Sequence, residues 1–473
     1  MAAKIGKSVA GQRVARLPYV APRLELLSPM GMQKHRTVDI ASAESAFEDI
    51  GDVSALLAEF GSPLYIVSEK ALRAQYRSFR DTFTAPGIDT VVAYSYKTNY
   101  LPAVCSILHQ EGAWAEVVSG MEYDLARMLG TPGGQIVFNG PYKRREELEL
   151  AVSDGALINV DNFDELDLLI EVAGAMRKTA RTGLRINFQH GPQSWTKFGF
   201  SADNGDAMEA LRRVKKAGRA LNLEALHNHS GTFQVNPEIY AKAAQVLIGV
   251  ARRARELGMT PTIADFGGGY PSSNRLKPAF DVRDGSGANG RHLVPFAEAI
   301  VGALGKSRKA FGERPVMMLE PGRAVVDVAM RLACTVVARK NVAGQGDAII
   351  VDAGVNLLPT AYWYDHGIDH ATSEKLRAAG GSRATSVFGP LCMQVDVLRE
   401  RVMLPPMPIG APMVISNVGA YCLTQSMQFI QPRPAVVLVG AKGPEVIRRR
   451  ETRQDIFALD KVPVRLKVRG AGN

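Results

Sequence analysis

Cysteine is scarce in this chain, and long apolar runs are missing from it. Only four cysteines occur in 473 residues (Cys105, Cys334, Cys392 and Cys422), and no two form a CxxC pair. So few argue against a disulfide-stapled scaffold, and their spacing argues against a structural zinc site. No apolar stretch approaches the roughly 20 residues that span a bilayer, so no membrane partner is expected. Zinc-finger and basic-zipper signatures are missing too, as is a basic stretch interleaved with aromatics. The net charge of +10 is therefore read as solvated faces, such as Arg212-Arg213-Val214-Lys215-Lys216 and Arg448-Arg449-Arg450, with no nucleic-acid partner. The first 24 residues hold five Lys or Arg and no acid, but no long apolar core. They read as a basic, disordered tail rather than a transit peptide, and the expected compartment is the cytoplasm.

What is present is ample core. Hydrophobic residues make up 46% of the chain, and its length suits two domains. Helical spacing at 53–60 is followed by a strand-like Pro63-Leu64-Tyr65-Ile66-Val67. Short apolar runs then alternate with amphipathic segments such as 145–152 and 164–173. The runs fall at 90–94, 113–118, 135–138, 157–160, 183–187, 224–227, 262–266 and 316–320. Eight such β–α units predict an α/β fold, a (β/α)8 TIM-type barrel, with a doubly wound sheet as the alternative. After Arg323 the runs become Val-rich and strand-like (333–338, 348–351, 413–415, 435–439), which predicts an all-β C-terminal domain. The expected division is a tail over 1–24, a barrel over 60–325 and a β domain over 326–473, with residues from about 25 to 59 packing on the latter.

Reactive side chains gather where those strands end, the face on which a barrel keeps its active site. Lys97 follows the first strand; a lysine there is a candidate Schiff-base amine, although most such lysines face water. His227 and His229 lack a third metal ligand at a familiar spacing, so no metal is expected and His227 reads as a buried structural residue. Gly267-Gly268-Gly269 lets backbone amides approach a phosphate, although glycine runs are more often turns. Glu320-Pro321-Gly322-Arg323 closes the last strand with an acid and a guanidinium, a pair that in isolation is usually a surface ion pair.

In order along the chain, these segments form a pattern. Tyr96-Lys97-Thr98-Asn99, His227-Asn228-His229-Ser230-Gly231-Thr232, Gly267-Gly268-Gly269, Glu320-Pro321-Gly322-Arg323, Cys392-x3-Asp396 and Gly419-Ala420-Tyr421 together resemble a known family. It is that of the pyridoxal 5′-phosphate (PLP) decarboxylases of the alanine-racemase fold (fold type III). The likeness runs from about Leu57 to Leu459. It is greatest to the diaminopimelate-decarboxylase branch, with ornithine and arginine decarboxylases as cousins.

The resemblance implies roles. Lys97 would hold PLP as a Schiff base, His229 would stack on the pyridine ring, and Glu320 would keep the ring nitrogen protonated. Thr232, Gly268, Gly269 and Tyr421 would bind the phosphate, with Arg323 near it or near the substrate carboxylate. Glu116 would lie beside the cofactor. Cys392 would reach across a homodimer with two shared sites and protonate the carbanion. Two competitors are weaker: a PLP-homeostasis protein has no β domain, and racemases place Arg where Glu320 stands.

The substrate segment departs from the diaminopimelate pattern. That branch carries Cys-Glu-Ser-Gly-Asp and an Arg-Pro-Ala-Leu-Tyr stretch whose arginine grips substrate. Here the segments read Cys392-Met393-Gln394-Val395-Asp396 and Leu358-Pro359-Thr360-Ala361-Tyr362-Trp363-Tyr364, and the stretch from Asn187 to Phe198 is shorter. Tyr364-Asp365-His366 resembles ornithine decarboxylases, whose Asp reads a distal amine. Tyr364, Asp365 and Asp396, with Arg323, are therefore the substrate candidates. With Asn139-Gly140-Pro141-Tyr142-Lys143, the region resembles decarboxylases of siderophore and other specialised pathways, which act on amino acids joined to citrate or a carrier. The implied reaction is decarboxylation of an amino acid or such a conjugate. The alternatives are diaminopimelate itself and an ornithine- or lysine-type substrate.

Overall fold

A computed structural model of the chain describes residues 39–40, 49–191, 194–277, 293–344, 346–370 and 381–466. The basic tail expected at 1–24 lies outside the described residues.

Eight parallel strands close into a barrel: β1 (Asp89–Ser95), β2 (Trp114–Val117), β3 (Ile136–Phe138), β4 (Leu157–Val160), β5 (Ala180–Asn187), β6 (Leu221–His227), β7 (Ile263–Asp265) and β8 (Val316–Leu319). Each pairs with its neighbour in chain order, and β8 returns to β1 from Val316↔Asp89 to Leu319↔Val92. These are the eight runs expected, and the barrel prevails over the doubly wound alternative. Side chains point inward at every second residue. Ala93, Val137, Leu157, Ala225, Ile263 and Met318 accordingly form one apolar plug, with Trp114 packed against it. Helices cover the outside. Asn162 caps Phe163–Met176 by accepting the Glu165 N–H, and Ser119 caps Gly120–Met128 by accepting that of Glu122.

The second domain is a mostly antiparallel sheet. Its order is Asp39–Ile40, Val397–Leu404, Arg383–Phe388, Gly346–Val351, Met330–Val342, Leu64–Ser68, Ala435–Gly440 and Gly443–Arg448. Pro412–Ile415 also pairs with Met330–Val342. Helix Val53–Phe60 packs here: Val53 and Leu56 join Ile66, Ala333, Val414 and Val437 in one cluster. Strand Leu64–Ser68, grouped with the barrel on the sequence, lies inside this sheet. Met330–Val342 and Ala435–Gly440 flank it. Among the described residues, no helix is long and apolar enough to cross a membrane.

Candidate active site

The residue two places beyond each plug position points inward as well, one layer nearer the C-terminal mouth of the barrel. Those residues are Ser95, Glu116, Asn139, Asn159, His227, Asp265 and Glu320; Arg185 on β5, two places after Gly183, joins them, and all eight are buried. An apolar plug therefore carries a floor that is polar at every strand. Contacts cross the barrel. Asn139 Nδ2 donates to Glu116 Oε1 (3.0 Å) and Glu320 Oε1 (2.7 Å). Asn159 Nδ2 donates to Asn139 Oδ1 (2.8 Å) and Asp265 Oδ2 (3.2 Å). His227 Nε2 lies 3.4 Å from Glu320 Oε2.

The floor sets the charge states of its two central acids. Burial works against the anion at Glu320, but His227, Lys97 and Asn139 outweigh it and hold Glu320 below the usual carboxylate range. Asp265 goes the other way: burial and the Glu320 charge push it well above that range. The two neighbouring acids are pushed in opposite directions.

Lys97 rises from the loop after β1, and its Nζ donates to Glu116 Oε2 at 2.6 Å. Burial disfavours its charge, but Glu116, Tyr421 and Glu320 overcome that and raise its pKa. The loop is fastened to the sheet domain: Asn99 Nδ2 donates to Gly419 O (3.0 Å), and the Tyr421 N–H donates to Thr98 O (2.9 Å). That bond holds Tyr421 at φ +66°, an unusual angle for a residue with a side chain.

The glycine run follows β7. Gly267 and Gly269 have φ of +59° and +92°, and a Cβ on Gly268 would meet Glu320 O at 2.5 Å. Only glycine fits so close to two neighbouring loops. His229 is kept neutral by burial and by Arg185 and Lys97, and its Nδ1 accepts the Gly268 N–H at 3.0 Å. Trp195 packs on its ring with centroids 5.4 Å apart. Arg323 is ion-paired to Asp327 (3.3 Å), and Phe233, Tyr364 and Tyr421 surround its guanidinium. Thr232 is exposed at the rim, and so is Cys392 on its loop of the sheet domain.

Geometry changes three expectations. The Gly268 N–H is engaged by His229, so this amide is not open to the phosphate that the glycine run suggested. Asp396 Oδ1 and Oδ2 accept the Val355 (2.8 Å) and Leu391 (2.7 Å) amides, so this acid shapes its own loop rather than facing a substrate. Asp365 sits across a strand pair from Arg275 and 3.8 Å from Arg399 Nε. Because strand residues alternate, it turns away from the side on which Tyr364 meets Arg323. The roles of Asn139 and Asn159 escaped the sequence reading. The available signal was a polar residue two places after an apolar one at a strand end, as in Leu157-Ile158-Asn159.

Side-chain atoms of His227, His229 and Glu320 converge within 4.8 Å. His229 Nδ1 and Glu320 Oε1 are already engaged, and the surrounding amine, imidazole, glycines and guanidinium form a donor set for a phosphorylated pyridine aldehyde rather than for a bare ion. PLP fits these residues: a primary amine beside one carboxylate, a second carboxylate held ionised, a neutral imidazole and a side-chain-free cradle.

Comparison with known proteins agrees. The family model "Pyridoxal-dependent decarboxylase, pyridoxal binding domain" matches residues 69–327, and "Pyridoxal-dependent decarboxylase, C-terminal sheet domain" matches 323–419. The chain is 31% identical to diaminopimelate decarboxylase of Methanothermobacter thermautotrophicus, over 88% of this chain and 95% of that one. It is 28% identical to diaminopimelate decarboxylase of Bacillus subtilis, over 87% and 94%. The crystal structure of the Methanocaldococcus jannaschii enzyme in complex with L-lysine superposes with a TM-score of 0.81 at 28% identity, covering 91% of this chain and 99% of that one. The chain belongs to the pyridoxal-dependent decarboxylases, and it is a PLP-dependent amino-acid decarboxylase built from a barrel and a C-terminal sheet domain.

Proposed function

We propose that the substrate is an amino acid or amino-acid conjugate other than diaminopimelate, used in a specialised pathway such as siderophore synthesis. One observation carries this reading: the side chains that would read a charged distal end are replaced or occupied. Leu358 is buried where the diaminopimelate branch places its arginine, and Met393 is exposed where that branch places glutamate. Asp365, the acid that would read a distal amine, is paired with Arg399.

Bound PLP supplies an electron sink for the pair left behind as CO2 departs. The chain's residues do the rest. Lys97 would provide the amine that holds the cofactor, with Glu116 Oε2 beside it to hold a proton. Glu320, held ionised, would keep a proton on the ring nitrogen. His229, next to Gly268 and Trp195, would lie against the ring. Gly268 and Gly269 would leave room for the phosphate, with Thr232, Tyr421 and Arg323 nearby. Cys392 of a second copy would supply a proton.

A second reading, diaminopimelate itself, is favoured by the names of relatives matched over almost their full length. Measuring CO2 release from meso-diaminopimelate, ornithine, lysine and citryl- or carrier-linked amino acids decides between them. We expect a conjugate to exceed the free diamino acids in kcat/KM by about tenfold or more. Diaminopimelate turning over fastest would establish the second reading.

A further inference from the structure

We propose that Asn139, oriented by Asn159, is a positioning residue that joins the two working carboxylates, Glu116 beside Lys97 and Glu320 at the floor, into one unit. The inference rests on the reading above that Lys97 and Glu320 flank the cofactor.

An amide has two N–H donors on its nitrogen and an acceptor oxygen. At Asn139 both acceptors within reach of Nδ2 are carboxylate oxygens, Glu116 Oε1 at 3.0 Å and Glu320 Oε1 at 2.7 Å. Rotating the amide by half a turn would put its oxygen against both anions. Asn159 opposes that rotation, because its Nδ2 donates to Asn139 Oδ1 at 2.8 Å. Asn159 is fixed in turn. Its second N–H goes to Asp265 Oδ2, and its backbone carbonyl accepts from Lys143 Nζ at 3.1 Å. Room for its amide comes from β5, where any Cβ on Gly183 would collide with Asn159 Oδ1. Each asparagine is buried one layer above the apolar plug, two residues on from Val137 and Leu157.

The effect is electrostatic. Each N–H donated to a carboxylate favours its ionised form. One amide therefore supports the Glu320 charge and, by its second N–H, fixes the spacing between that acid and Glu116, the one that faces the amine. The charged and titratable groups facing the pair are Lys97, Arg185, His227 and Asp265, with His229 above; none donates to both acids.

The test uses the holoenzyme and PLP itself, so it needs no substrate. Asn139→Ala and Asn159→Asp are compared with wild type by following the cofactor's visible band during acid titration. PLP affinity and apoprotein melting temperature are measured alongside. Losing the donor makes Glu320 easier to protonate, so the acid-side midpoint should move to higher pH by about one unit in Asn139→Ala. Asn159→Asp keeps the shape but cannot hold the Asn139 amide in place, and should shift the midpoint the same way by less. PLP binding should weaken about tenfold in Asn139→Ala, equivalent to about 1.4 kcal/mol. If Asn139→Ala does not fold, Asn159→Asp alone decides. Unmoved midpoints in whichever variants fold, even with a lowered melting temperature, would overturn the proposal and leave Asn139 a packing residue. A wild-type protein with no borohydride-reducible band would instead overturn the assignment of Lys97, and the proposal with it.

Discussion

Glu122 opens the helix Gly120–Met128 with its side chain buried and one oxygen accepting the Val118 N–H at 2.7 Å. Burial and the nearby Glu116 charge outweigh that hydrogen bond and Lys97, and lift its pKa from 4.5 to about 7. A carboxyl that holds its proton longer in the folded state stabilises the fold below its unfolded pKa, and this contribution disappears as pH rises through the folded value. Wild-type stability should therefore decline between about pH 4.5 and 7 by up to roughly 3 kcal/mol relative to Glu122→Gln. Thermal melts of both proteins across that range give the answer; parallel curves would mean that Glu122 is ionised where it lies. At this scale the sequence was informative about residue type and silent about direction. Lys97, Glu320 and His229 could be picked from motifs because their neighbours in the chain are distinctive. Asp365 and Asp396 carry the right chemistry, but backbone amides and Arg399 occupy them, and only atomic positions reveal that.

At the scale of elements, the loop after β3 and the helix Phe163–Met176 are joined by a fully buried ion pair, Lys143 Nζ to Glu165 Oε1 at 2.6 Å. Lys143 also donates to the carbonyls of Gly140 and Asn159, so it ties together both segments that carry the floor asparagines. Removing one partner strands the other in a dry site. Lys143→Met should cost about 3–5 kcal/mol, and Lys143→Met with Glu165→Leu should recover most of it. Denaturant unfolding measures both. The double variant should still bind PLP less tightly than wild type, because hydrophobic replacements restore packing without anchoring the loop; full recovery of affinity would separate the loop from the site. The eight barrel strands were legible because each is a short apolar run between amphipathic stretches. Arg383–Phe388 and Val397–Leu404 were not, since polar and charged residues interrupt them and their pattern is weak. Leu64–Ser68 was visible as a strand, but its neighbours lie hundreds of residues away and no local signal assigns it to a sheet.

For the whole molecule, the exposed loop bearing Cys392, Met393 and Val395 is the feature that asks for a partner. If it completes the site of a second copy, Lys97→Ala and Cys392→Ala homodimers should both be impaired. A mixed dimer would then contain one site with both residues intact. Mixing the variants should restore up to about half of wild-type activity per mixed dimer, by the geometry of a two-fold interface. No recovery in dimers shown to exchange subunits would place Cys392 within its own chain's chemistry. The position of Leu64–Ser68 bears on how such a molecule is made. This strand leaves the ribosome before any barrel strand, yet its parallel neighbour, Ala435–Gly440, follows only after all eight of them. Until Met330–Val342 emerges it is an apolar strand with both edges unpaired, the kind of segment that aggregates or recruits chaperones, and one edge then stays open until residue 435. The barrel can close once β8 has emerged, but Leu64–Ser68 cannot gain its second neighbour until residues 435–440 have been made. A nascent chain stalled before residue 435 therefore carries a closed barrel beside a strand with one edge still open, and synthesis of Ala435–Gly440 is the event that covers it.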